Sequence, residues 1–167
     1  CATPCTLQPF STTALQKLFV VFIGEVRVLN AVDNLFSLNH ARHLFAHGFR
    51  AMIAISLKGA KGDITDSEHI LWSTNKRTPY VPSPLLYGDT LYYLSHYQGI
   101  LSVIHAKSGE TKAGPFRIDS LRDIYASPVG AGGHVYITSR EGLTIVITHS
   151  KEPAPIAVNR LNESFSA

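Results

Sequence analysis

One segment of this chain occurs twice, and that recurrence limits the folds open to it more than any other feature. Ser83-Pro84-Leu85-Leu86-Tyr87-Gly88-Asp89-Thr90-Leu91-Tyr92-Tyr93-Leu94-Ser95 aligns with Ser127-Pro128-Val129-Gly130-Ala131-Gly132-Gly133-His134-Val135-Tyr136-Ile137-Thr138-Ser139, 44 positions later. Each copy runs on to a glycine, Gly99 or Gly142, and then to a β-branched run, Ile100 to Ile104 or Leu143 to Ile147. His43-Leu44-Phe45-Ala46-His47-Gly48 and Thr3-Pro4 occupy matching places upstream, and Phe165-Ser166-Ala167 resembles Ile124-Tyr125-Ala126. A period of about 40 residues is that of a four-stranded propeller blade. The register divides the chain into an irregular unit over 1–40, an incomplete one over 41–78, two regular units over 79–122 and 123–163, and the start of another over 164–167.

Within a unit, the pattern reads as strands separated by turns. In the third, Tyr80 to Leu86, Thr90 to Ser95 and Ile100 to His105 are expected strands, with a weaker fourth around Phe116 to Ile118. Gly88-Asp89, Gln98-Gly99 and Ser108-Gly109 supply turns, because glycine accepts the positive φ that tight hairpins need. In the fourth unit, Gly132-Gly133 and Glu141-Gly142 take those places, and Ile156 to Asn159 forms the outermost strand. Leu91-Tyr92-Tyr93-Leu94 is apolar on both faces, which suits a small sheet packed between two others. Pro82, Pro84 and Pro128 fall in the first strand of their units, where a free edge tolerates a residue with no N–H. The small residues Ser83, Ala126 and Ser127 suit the place where blades converge. The expected fold class is therefore all-β: a partial β-propeller of four-stranded antiparallel blades.

With these residues in place, Gly48 to Ala167 resembles the PQQ-like repeat family of β-propellers, the quinoprotein-like superfamily. The likeness is carried by Gly62-Asp63-Ile64-Thr65 leading to Trp72, by Thr78-Pro79-Tyr80-Val81-Pro82-Ser83-Pro84, by Ala106-Lys107-Ser108-Gly109-Glu110 and by Tyr125-Ala126-Ser127-Pro128-Val129. Related in repeat is an outer-membrane assembly lipoprotein with eight blades, so the resemblance implies about four blades of eight here. Thr3-Pro4 and Gly24 to Leu29 are similar to first and third strands, and no second strand is evident between Gly48 and Met52. The repeat positions singled out are Trp72, Pro84, Gly99, Gly109, Pro128 and Gly142. Trp72 is expected to wedge between successive blades, with Phe36 and Phe116 in the same place in other units, because an aromatic ring buries a large area.

The resemblance implies a non-catalytic scaffold that binds protein partners in an extracytoplasmic, periplasmic compartment. The alternative is a fragment of a PQQ-dependent oxidoreductase. Those enzymes hold the quinone beside a calcium ion, which takes six or more oxygen ligands, and often use adjacent cysteines. The two cysteines here, Cys1 and Cys5, are not adjacent, and the inner-strand positions of the two regular units lack carboxylates. No cofactor is therefore expected. Fold alone does not decide function.

Other residue sets point to chemistry less strongly than to structure. His40, His43 and His47 would line one helical face and could ligate a transition metal, but the repeat register makes them loop histidines. Asp63, Asp66 and Glu68 lack the glycine and alternate spacing of a calcium loop and read as solvated acids between strands. No Gly-x-Ser-x-Gly elbow occurs, so no catalytic residues are assigned. A sugar- or polymer-binding role has only exposed tyrosines such as Tyr97 to recommend it.

Charge and hydropathy exclude further classes. Fifteen Lys and Arg against twelve Asp and Glu give a net charge of +3. The basic residues are scattered, so no phosphate-tracking stripe for nucleic acid is present. The apolar run Leu18 to Ile23 is far short of the ~20 residues that span a bilayer. Cys1 lies inside a structural unit by register, so a fragment is expected, in need of further blades to close a ring. Such a fragment is expected to leave apolar terminal faces uncovered.

Overall fold

A computed structural model describes residues 19–23, 36–37, 51–56, 62–64, 66–79, 81–95 and 99–165. All the regular structure in them is β. Two four-stranded antiparallel meanders dominate. The first joins β6 (Leu85–Tyr87), β7 (Thr90–Leu94), β8 (Ile100–His105) and β9 (Thr111–Arg117) in chain order. The second joins β10 (Val129–Ala131), β11 (His134–Thr138), β12 (Leu143–Thr148) and β13 (Pro155–Arg160) in the same way. Upstream, β1 (Phe19–Ile23), β3 (Ala51–Ile55) and β5 (Ile70–Thr74) form a three-stranded antiparallel sheet, while β2 (Phe36–Ser37) and β4 (Gly62–Asp63) pair in parallel.

The upstream sheet crosses the division placed at residue 40. Phe19–Ile23 pairs residue for residue with Ala51–Ile55, and so supplies the neighbouring strand that is not found between Gly48 and Met52. Two strands of the regular units also differ in extent from the sequence reading. β6 begins at Leu85, not at Tyr80, because Pro82 and Pro84 remove two ladder donors just before it. The fourth strand is longer than Phe116 to Ile118 and starts at Thr111. As the sheet edge it tolerates Gly114 and Pro115, which made it look like a loop.

The core lies between sheets. Every residue of β7 is buried, and pleating sends its side chains alternately to two faces. Tyr92 and Leu94 pair across the ladder with Val103 and Leu101. This face packs on Val135, Ile137, Ile145 and Ile147 of the last sheet, with Ile118, Leu121 and Ile124 from the connecting segment. Leu91 and Ile104 pair on the opposite face and, with Tyr93 and Ala106, pack against Met52 of the upstream sheet. Full burial of each such side chain contributes about 1.5–3 kcal/mol, so the stacking of sheets, more than any one ladder, holds the chain together.

The far face of the last sheet is more polar than its counterpart. The 44-residue offset places Tyr136 where Tyr92 stands in the previous sheet, but Thr138 replaces Leu94, and Thr144, paired with Thr138 as Leu101 is with Leu94, takes the place of Leu101. The two threonine hydroxyls are 2.9 Å apart and hydrogen-bonded. The apolar terminal face expected from sequence is interrupted here by two threonines. Its exposed apolar side chains lie at its margins instead, on Val129, Ile156 and Val158, with Leu161 just beyond.

The glycines Gly99 and Gly142 show why the repeat recurs in sequence. Each precedes the third strand of its sheet and is crossed by the chain leaving the fourth. The Ile118 amide donates to the Gly99 carbonyl at 2.9 Å, and the Leu161 amide to the Gly142 carbonyl at 3.0 Å. Both glycines have positive φ, 75° and 77°. A Cβ on Gly99 would lie 2.9 Å from Leu121 O, and one on Gly142 would be 2.6 Å from Glu163 O and also against Leu161 O. Gly132 has φ 56° but nothing within 4 Å of the same point. Gly142→Ala is therefore expected to cost about 2–4 kcal/mol by combining backbone strain with a steric clash. Gly132→Ala, with strain alone, should cost only about 1–2 kcal/mol. Urea unfolding of the two variants tests this, and equal losses would contradict the crossing-chain explanation.

Candidate functional site

Three places bring polar or aromatic side chains together across sheet boundaries. At the first, Trp72 of β5 reaches the neighbouring meander, where its indole Nε1–H donates to the Ala106 carbonyl at 2.8 Å. The indole lies against the turn at Gly109 (φ 73°), where a Cβ would approach the ring to 2.9 Å. A tryptophan that reaches from one sheet to the next in this way needs a residue with no side chain beneath it. Phe116 packs on the core shared by the two meanders.

At the second place, the residue aligned with Ala106 by backbone pairing is His149. Ala106 N donates to Asp89 O at 2.9 Å, and His149 N to Gly133 O at 2.8 Å. His149 Nδ1 is joined to the Tyr92 hydroxyl at 2.9 Å, and its ring lies 4.5 Å from that of Tyr87. The Tyr87 hydroxyl accepts the Gly133 amide at 2.9 Å. Burial, with the Asp89 charge adding to it, raises the Tyr92 phenol above its usual 10.0. The neutral phenol is a hydrogen-bonding bolt between sheets, and Tyr92 and His149 stand 57 residues apart in sequence.

The second place continues into a polar cluster on the turn side of β7–β9. The Asp89 carboxylate accepts from Lys112 Nζ at 2.8 Å and from the Thr90 hydroxyl at 2.9 Å. These bonds, the lysine first, hold its pKa at about 2 against the ordinary 3.8. His105 Nε2 is 3.6 Å from Asp89 Oδ2, and Ser108 Oγ is 3.3 Å from His105 Nδ1. This Asp-His-Ser order does not activate a nucleophile. His105 Nδ1 already receives the Ser108 amide at 3.3 Å, and the Ser108 hydroxyl proton has a stronger acceptor in Glu110 Oε2 at 3.0 Å. The group clamps the turn.

The third place is a cleft of about 330 Å³ between β5 with its exit turn and the first meander. Ser73, Thr74, Lys76 and Arg77 contribute from one side, and Tyr93, Ser108 and Thr111 from the other, with Trp72 and Ile104 as apolar lining. The exit turn is tied by Thr74 Oγ1, which accepts the Lys76 amide at 3.2 Å, and Arg77 has φ 51°. Burial pushes the Tyr93 phenol above 10.0, while the Ser102 hydroxyl and the Arg77 charge pull the other way.

Of the positions singled out in sequence, Pro84 and Pro128 lie just before β6 and β10, outside the ladders. Between them the innermost segments touch, with the Ser83 amide donating to Ser127 Oγ at 2.9 Å. Asp66 and Glu68 are exposed on a turn between β3 and β5, tied by Ser67 Oγ donating to Ile64 O at 2.7 Å. Asp63 is in β4. Cys1, Cys5, His40, His43, His47 and Tyr97 lie outside the described residues. Among the described residues, no three His, Cys, Asp or Glu side chains are grouped to hold a metal ion, and no helix is long and apolar enough to cross a membrane. Neither the cleft nor the His149 junction was evident from sequence, because each gathers residues from separate sheets.

No family model matches the chain, and no curated protein matches it by sequence. Among solved structures it is similar to BamB from Moraxella catarrhalis, at 11% identity and a TM-score of 0.34. That alignment covers 70% of this chain and 46% of the other, so this chain spans about half the length of that protein. The assignment of the sheets rests on their own strand order and register.

The Asp89 bonds make a prediction about acid. A carboxylate whose folded pKa is depressed contributes stability above its unfolded pKa and loses that contribution as pH falls through the folded value. The difference in melting temperature between the parent chain and Asp89→Asn should be constant above pH about 4 and vanish toward pH about 2. It should be small, since the carboxylate is open to solvent screening. A difference that does not change across this window would show that Asp89 is not held by Lys112.

Proposed function

We propose that this chain is a stretch of a PQQ-like β-propeller that serves as a non-catalytic, protein-binding scaffold in an extracytoplasmic compartment. Its regular blades would span 79–122 and 123–163, and the reading assigns no cofactor. The observation that carries it is the contrast between the outer strands of the two meanders. Both are sheet edges, and an edge strand is a template for another strand unless something blunts it. β9 is blunted inside the strand by Lys112 and Pro115, while both strands end in an arginine, Arg117 and Arg160. In β13, proline occurs only at the first position, every residue is exposed, and Ile156 and Val158 are more than half exposed. Leu161, 54% exposed, extends the apolar margin. An extended segment of a partner protein can pair with such an edge through its backbone and be selected by the side chains it meets. The turn clamp at Asp89 and the bolt at His149 would supply the rigidity that a scaffold requires.

Site-specific photocrosslinking in the source cells tests the proposal. With p-benzoylphenylalanine replacing Val158, a discrete protein adduct is expected. It should disappear when Ile156→Asp is added without change in melting temperature, and it should be absent when the crosslinker replaces Lys112. No adduct at 158, or equal adducts at both positions, would overturn the scaffold reading.

A further inference from the structure

The cleft beside Trp72 has no part in that reading, and its chemistry differs from that of the outer strand. We infer that it binds the phosphate group of a small organic phosphate monoester. Lys76 and Arg77 both line it, and neither is in an ion pair among the described residues. Among the described residues, no carboxylate lines it. Glu110, the acid bonded to Ser108 Oγ, is not among the lining side chains. Ser73, Thr74, Tyr93, Ser108 and Thr111 line it beside the cations, with the Ser108 and Thr74 hydroxyls already bonded to Glu110 and to the Lys76 backbone. Two positive charges with no ion-pair partner among the described residues form a site for an anion.

Charge and donor number select the anion. An ammonium and a forked guanidinium offer more N–H donors than the two oxygens of a carboxylate can use. A phosphate monoester brings three terminal oxygens and a charge of about −1.5 to −2 at neutral pH, which matches the two cations. The Tyr93 phenol, in a residue 5% exposed, is neutral near pH 7 as any tyrosine is and can donate. The presenting turn is also fixed in advance, because Thr74 ties it to the strand and Arg77 takes a left-handed backbone conformation. Less ordering is then lost on binding. Finally, a volume of about 330 Å³ exceeds what a bare phosphate fills. Trp72 and Ile104 supply apolar lining, which suits a short organic group on the ester oxygen.

Trp72 is the only tryptophan in the chain, so its fluorescence reports on the cleft directly. The test titrates the whole chain with glycerol 3-phosphate, inorganic phosphate and acetate at constant ionic strength. A saturable change is expected with glycerol 3-phosphate, weaker with inorganic phosphate and absent with acetate. Lys76→Ala combined with Arg77→Asn should weaken glycerol phosphate binding at least about tenfold, with the melting temperature unchanged. Asparagine is chosen because it tolerates a positive φ. The single change Lys76→Ala, which leaves residue 77 intact, should weaken binding in the same direction. No saturable signal up to about 10 mM ester would overturn the inference. So would titrations that are alike in parent and variants, the mark of an adventitious ion only, or acetate binding as tightly as the phosphates.

Discussion

A strand with every side chain buried requires an apolar layer on each side of its sheet, and Thr90–Leu94 is such a strand. Tyr92 and Leu94 face the last meander, while Leu91 and Tyr93 face the upstream sheet. Neither neighbour could be removed without exposing half of this strand to water. The architecture follows from that demand. Each meander is a thin layer, and thin layers gain stability by being stacked. The connecting segment contributes as well, since Ile118, Leu121 and Ile124 fill the same core that the strands line.

Stacking leaves the polar groups with a particular task. At each junction one specific contact sets how the layers meet, and the two junctions use different chemistry at the same backbone position. Ala106 offers a carbonyl to the Trp72 indole, and His149, its counterpart, offers a ring to Tyr92 and Tyr87. Apolar packing is non-directional, so directional bonds at the margins supply the registration that the core lacks. The far face of the last sheet loses part of its apolar character through Thr138 and Thr144, whose hydroxyls satisfy each other. Its outer strand keeps Ile156 and Val158 in the open, and there the proposed binding role is placed.

The sequence made the layered repeat visible because its punctuation is steric. Gly99 and Gly142 recur because the chain leaving the fourth strand passes where a Cβ would be. Trp72 was singled out through the resemblance, and its ring reaches the Ala106 carbonyl of the next sheet. The first strand was read too long because the prolines ahead of Leu85 were placed inside the ladder, whereas they end before it begins. The fourth was read too short, because Thr111–Arg117 has the composition of a loop and is a strand only through pairing with Ile100–Ile104. The cleft was illegible for a different reason. Lys76 and Arg77 look like scattered surface charge until the fold sets Tyr93, Ser108 and Thr111 opposite them.

Native-state hydrogen exchange across β7, β8 and β13 tests the dependence on stacked layers most directly. The account predicts that amides of Leu91 to Leu94 and Leu101 to Ile104 exchange slowest, at the rate set by global unfolding, while those of Ile156 to Arg160 exchange by local opening. If the outer strand proved as protected as β7, or β7 exchanged as quickly as the edges, the stacking of sheets would not be what holds this chain together.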